Sequence, residues 1–92
     1  MGFLELFGIR KKIDKDEFVI LKKLFDGDED EGATFYPIDI LIDNNLDIRT
    51  VSVITDRLHA KGLIKKILIR NIQAVTINEK KINRIKKILG VK

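Results

Sequence analysis

Residues 46–64 read Leu46-Asp-Ile-Arg-Thr-Val-Ser-Val-Ile-Thr-Asp-Arg-Leu-His-Ala-Lys-Gly-Leu-Ile64. Asp47 has the short acceptor side chain of a helix N-cap. Val51, Ile54 and Leu58 follow at spacings of three and four, so one face of the helix is apolar. Gly62 suits the left-handed residue that stops a helix. Leu63 then opens a β-branched run through Ile69, and Ile72–Ile77 makes a second. Arg70-Asn71 is the expected two-residue turn between them.

Outward from this stretch the signals remain local. Toward the N-terminus, Asp14 and Glu17 have capping-box spacing, with Ile13 and Phe18 placed as a hydrophobic staple. Phe18, Leu21, Leu24 and Phe25 make the core stripe of that helix, and Gly27 ends it. Pro37 suits the first turn of a second helix, with Ile38, Leu41 and Ile42 inward. Asn44-Asn45 would close it, because Asn tolerates the left-handed conformation, and Leu46 would plug the turn into the core. Beyond the hairpin, Asn78 caps a last helix from Glu79 to Leu89. Ile82, Ile85, Ile88 and Leu89 line its apolar side, and Lys80, Lys81, Arg84, Lys86 and Lys87 surround them.

Three helices, a hairpin and a final helix give an α+β winged-helix architecture: a helix-turn-helix core, a two-stranded β-wing and a C-terminal helix. The domain spans 14–78. Residues 1–13 are an apolar extension and 79–92 a basic helix suited to dimerisation.

Composition narrows the function. Ninety-two residues make one small domain. The absence of cysteine removes disulfides and thiolate metal sites, and a single histidine, His59, makes a histidine metal cluster implausible. The Asp26–Gly32 acids invite a calcium-loop reading, but the register fails: Glu31 stands where glycine is required and Pro37 at the twelfth position. An exposed acidic loop lying away from any DNA face is expected instead. No metal or cofactor is expected. No nucleophile–base pair or glycine-rich phosphate loop points to catalysis. No apolar run is long enough to span a membrane, and the start lacks a signal-peptide pattern, so a cytoplasmic location is expected. Plentiful Ile, Lys and Glu suit a thermophile.

Charge is divided along the chain. Residues 1–56 carry seven Lys/Arg against thirteen Asp/Glu, a net −6, whereas residues 57–92 carry eleven against one, a net +10. Such asymmetry marks a nucleic-acid surface or a lysine-rich solvated one.

Thr50-Val-Ser52, Leu58 and Lys61-Gly-Leu-Ile64 together resemble the signature of MarR-like winged-helix regulators, with a twelve-residue step from Thr50 to Gly62. The resemblance covers about residues 16–78. It implies a dimeric, sequence-specific transcription regulator whose terminal helices form the dimer interface. The chain differs from that pattern at Val53 and Asp56 and in the apolar wing Ile67–Gln73.

If the third helix enters a major groove, its outward face offers Arg49, Thr50, Ser52, Val53, Asp56 and Arg57. Arg49 has the fork that matches guanine O6 and N7. Lys61, Lys65, Lys66 and Arg70 would contact phosphate along the wing, or protect its strand edge. Lys65 and Lys66, being consecutive, point to opposite faces. Phe3, Leu4, Leu6 and Phe7, with Ile82, Ile85 and Leu89, would form a homodimer interface or fold back on their own core. The partners expected are therefore double-stranded DNA and a second copy, with no membrane. The alternative is a protein-binding winged-helix adaptor within a larger assembly.

Overall fold

The computed structural model describes residues 13–91. Its first element, α1 (Lys15–Gly27), starts at the expected capping box: Asp14 Oδ1 accepts the Glu17 N–H at 2.8 Å, and Glu17 Oε1 accepts the Asp14 N–H at 2.9 Å. The buried face of α1 is Glu17, Ile20, Leu21 and Leu24, while Phe18 is only half-buried. Ile13, Val19 and Phe25 pack partly against the core.

The acidic segment that follows is ordered by its own carboxylates. Asp28 Oδ1 accepts the N–H groups of Asp30 and Gly32, and Asp30 accepts from the backbone and hydroxyl of Thr34. No group of acids or histidines suited to a metal exists among the described residues. Gly32 is buried with φ +91°, and a Cβ there would lie 2.3 Å from the Ile77 carbonyl oxygen. The acidic loop is thus closed onto the end of the sheet.

The second helix expected after Pro37 is not formed. Tyr36–Pro37 is instead a short strand, β1, and Ile38–Leu41 is a single 3₁₀ turn that buries Ile38 and Leu41. Pro37 pairs with Ala74 at a sheet edge, where its missing N–H does no harm. Ile42 is exposed rather than inward. Asn44 and Asn45 do not adopt positive φ. The Asp43 carboxylate makes the turn, accepting the N–H groups of Asn45 and Leu46, and Leu46 fills the core as expected.

Helix α2 (Ile48–Ala60) is capped by Asp47, which accepts the Thr50 N–H at 2.8 Å. Val51, Ile54, Thr55 and Leu58 form its buried face. Gly62, at φ +78°, turns the chain into β2 (Ile64–Ile69). Arg70 and Asn71 both have positive φ, the pattern of a type I′ hairpin turn, and lead into β3 (Ile72–Ile77). The two strands pair without a bulge over six residue pairs. The sheet order is β1-β3-β2, all antiparallel, so β2 is an edge strand.

The last helix is shorter than expected: Glu79–Lys81 is a 3₁₀ turn and α3 spans Ile82–Leu89. Asn78 caps the turn through the Lys80 N–H. Ile85 is fully buried in the chain's own core, and Ile82, Ile88 and Leu89 pack partly against it. The helix therefore folds back on its own domain, and Ile85 offers no surface to a partner. Phe3, Leu4, Leu6 and Phe7 lie outside the described residues.

The architecture is α+β, three α-helices over one three-stranded antiparallel sheet, compatible with a winged-helix-like arrangement. Its core joins Ile20, Leu21 and Leu24 to Ile38, Leu41, Val51, Ile54, Leu58, Leu63, Ile64, Val75, Ile77 and Ile85. Each fully buried aliphatic side chain of this kind contributes roughly 1.5–3 kcal/mol.

Two measurements check this account. Asp47 is held below its ordinary pKa of 3.8, first by the Thr50 backbone N–H; Asp43 shifts the same way through Lys23, Asp30 through Thr34, and Glu79 through Lys65. A lowered folded-state pKa gives stability that is complete above the unfolded value and is lost as pH falls through the folded one. The thermal midpoint should therefore decline below pH ~4, and Asp47→Asn, which caps without titrating, should flatten that decline; parallel profiles would contradict the assignment. The glycines separate in denaturant titrations. Gly32→Ala meets the Ile77 carbonyl and should cost at least about 2 kcal/mol, whereas Gly62→Ala has open space and carries only the left-handed penalty of about 1 kcal/mol.

Candidate nucleic-acid interface

Both flanks of α2 are fastened, and this decides which side chains it presents. On the α1 side, the Glu17 carboxylate is buried (2% exposed) and takes the Lys61 ammonium at 2.7 and 2.8 Å. One turn earlier, Arg57 Nη1 donates to Asp14 Oδ2 at 3.2 Å in an exposed pair. Thr50 is half-buried and gives its N–H to Asp47.

On the sheet side, Ser52 Oγ donates to Gln73 Oε1 at 2.9 Å. Lys66 lies almost buried across the helix and donates to Ser52 O, Thr55 Oγ1 and Asp56 Oδ1 at 3.0, 2.8 and 2.7 Å. Thr55 in turn sits 2.8 Å from Val51 O. Lys65, on the opposite face of the strand, pairs with Glu79 at 2.8 Å and stands over the Phe35 ring.

Beside the exposed Ile48 and His59, the outward side of α2 carries a stripe at spacings of four, three and four: Arg49, Val53, Asp56 and Ala60, all exposed. Asp56 stays largely solvent-facing despite its bond to Lys66. Arg49 has no ion-pair partner among the described residues, and neither has Arg70, exposed at the tip of the hairpin.

The expected site thus divides. Of its six cations, Arg57, Lys61, Lys65 and Lys66 are engaged in intrachain ion pairs, and Arg49 and Arg70 are not. The expected helix contacts Arg49, Val53 and Asp56 come together on one face, whereas Ser52 and Arg57 face the flanks. The residues that sequence reasoning left out are the partners: Asp14, Glu17, Gln73 and Glu79. Glu79 carried one signal, being the single acid among residues 57–92. The acidic loop faces α3, where Asp28, Glu29 and Glu31 line a hollow of about 300 Å³ with Phe25, Ile82 and Lys86.

Among the described residues no helix is long and apolar enough to cross a membrane. No protein-family model, curated protein or solved structure matches this chain.

The two ion pairs of contrasting burial give a stability test. Lys61→Ala leaves the Glu17 charge buried with its ammonium gone, a loss of about 3 kcal/mol. Lys65→Ala breaks an exposed pair and should barely move the unfolding midpoint. Equal, small effects in urea titrations would return Lys61 to the role of a phosphate contact.

Proposed function

We propose that this chain is a winged-helix domain that binds double-stranded DNA in a sequence-specific manner and acts as a homodimeric, MarR-like transcription regulator. The order helix, strand, turn, helix, hairpin supports the winged-helix reading: α2 follows the turn as a recognition helix, and β2–β3 is the wing.

One observation carries the DNA reading. Helix α2 is anchored on both flanks, so its remaining face is rigidly presented, with an unpaired arginine in its first turn. A recognition helix reads base edges with its N-terminal half. In this reading Arg49 donates to guanine, Val53 meets a thymine methyl and Asp56 accepts from cytosine. Thr50, at the start of the helix, reaches phosphate.

A second reading, a protein-binding winged-helix adaptor, is favoured by the ion pairing of the cations. Phosphate affinity scales with the number of lysines and arginines that replace counterions, and Arg57, Lys61, Lys65 and Lys66 already have carboxylate partners.

Selection from a random duplex library tests the first reading. It predicts an enriched sequence, with Arg49→Ala weakening that duplex by roughly 1–3 kcal/mol and random duplex by less. An equal loss on both duplexes would remove Arg49 from base recognition. No enrichment, together with no binding at low salt and micromolar protein, would favour the adaptor.

A further inference from the structure

Exposed large apolar residues occur elsewhere, at Ile40, Ile42, Ile48 and Val53, but four lie together at the end of the hairpin: Ile67 is 41% exposed, Leu68 66%, Ile69 46% and Ile72 53%. Ile67, Leu68 and Ile69 are consecutive in β2, so they project alternately from the two faces of the sheet. A partner lying on one face would cover Ile67, Ile69 and Ile72 but leave Leu68, the most exposed, in solvent. Only a strand running alongside β2 flanks all three.

Among the described residues β2 borders only β3, and no bulge or proline interrupts it. Its lysines, the residues that ordinarily guard a strand edge, are drawn away. Lys65 is held by Glu79, and Lys66 is folded onto α2. The pair Ile69–Ile72 closes a two-residue turn and is therefore hydrogen-bonded, which aims the N–H and C=O of the alternate residue, Leu68, at the open side.

We propose that β2 pairs edge to edge with β2 of a second copy, antiparallel about a two-fold axis through Leu68. Three features select a second copy over another occupant. A two-fold contact needs a self-complementary strand, and Lys66-Ile-Leu-Ile-Arg70 is nearly symmetric about Leu68. The axis sets Leu68 against Leu68 of the partner subunit and Ile67 against Ile69 of the partner subunit. That second contact adjoins an apolar hollow of about 210 Å³ bounded by Phe35, Pro37, Ile69, Arg70, Ile72 and Ala74.

The charges also alternate. Lys66 would face Arg70 of the partner subunit, a like-charge opposition that ordinarily destabilises a strand pair. Here Lys66 is already neutralised within its own chain by the Asp56 carboxylate, 69% of whose side chain is exposed. Pairing centred on Leu68 sets Ile64 of the partner subunit opposite position 72, so the two hairpin bases lie eight steps apart, about 27 Å at roughly 3.4 Å per residue.

This interface rests on the homodimeric reading proposed above, and it is tested without DNA, so that a dimer meeting elsewhere is told apart from no dimer at all. The full chain should sediment at twice its 10.6 kDa monomer mass, and Leu68→Lys should sediment as a folded monomer whose thermal midpoint no longer rises with protein concentration, as the parent's does. Because the chain has no cysteine, a single Leu68→Cys variant treated with a short bis-maleimide should give a covalent dimer. Asn83→Cys, on the exposed side of α3, should not. A monomeric full chain, a dimer that survives Leu68→Lys, or cross-linking no faster at position 68 than at 83 would each overturn the proposal.

Discussion

The Glu17 carboxylate is the constraint on which the arrangement depends. It is buried, and a buried charge is costly unless it is both paired and hydrogen-bonded. Glu17 meets both conditions: one oxygen takes the Asp14 N–H and closes the cap of α1, and both take the Lys61 ammonium. Lys61 is the C-terminal cap residue of α2 and immediately precedes the Gly62 turn into β2. One group therefore fixes the start of the first helix, the end of the second and the point at which the hairpin leaves. With that end of α2 held, the contacts of Ser52 with Gln73 and of Lys66 with Thr55 and Asp56 set its rotation against the sheet.

The same contacts determine what the surface can do. Charge counted along the sequence puts eleven cations in residues 57–92, and that count suggests a strongly electropositive wing. The folded chain redistributes it. Lys61, Lys65 and Lys66 act as struts between elements, and the hairpin end that remains is apolar with a single arginine at its tip. Under the proposed function, the α2 stripe, with Arg49 ahead of Val53, suits reading bases better than the hairpin suits gripping phosphate. An apolar edge strand is better suited to another strand than to DNA.

The elements legible in the sequence were those set by short-range chemistry. Asp14 with Glu17, Asp47 with Thr50, and Arg70 with Asn71 act over three residues or fewer, so their spacing alone specifies the local backbone. The 3.6-residue period of Val51, Ile54 and Leu58 identified the buried face of α2 for the same reason. Pro37 misled because the residue is equally at home in the first turn of a helix and at a sheet edge, and a two-residue strand has no period to read. Asn44-Asn45 misled because a carboxylate one residue earlier, Asp43, supplies the turn. Glu17 drew attention as a capping partner but not as a buried anion. Its second ligand lies forty-four residues away, and no local pattern records such a pairing. The expected site divides for that reason: the positions of the cations are visible in the sequence, and their carboxylate partners are not.

The proposed DNA reading assigns contact to the outward stripe of α2 rather than to the hairpin. Titrating the uniformly ¹⁵N-labelled chain with a selected duplex and following its amide resonances tests this directly. The account predicts that the largest shifts fall on Arg49, Thr50, Val53 and Asp56, with the resonances of Ile67–Ile72 little changed. Shifts concentrated on the hairpin, or none at all at low salt, would contradict it.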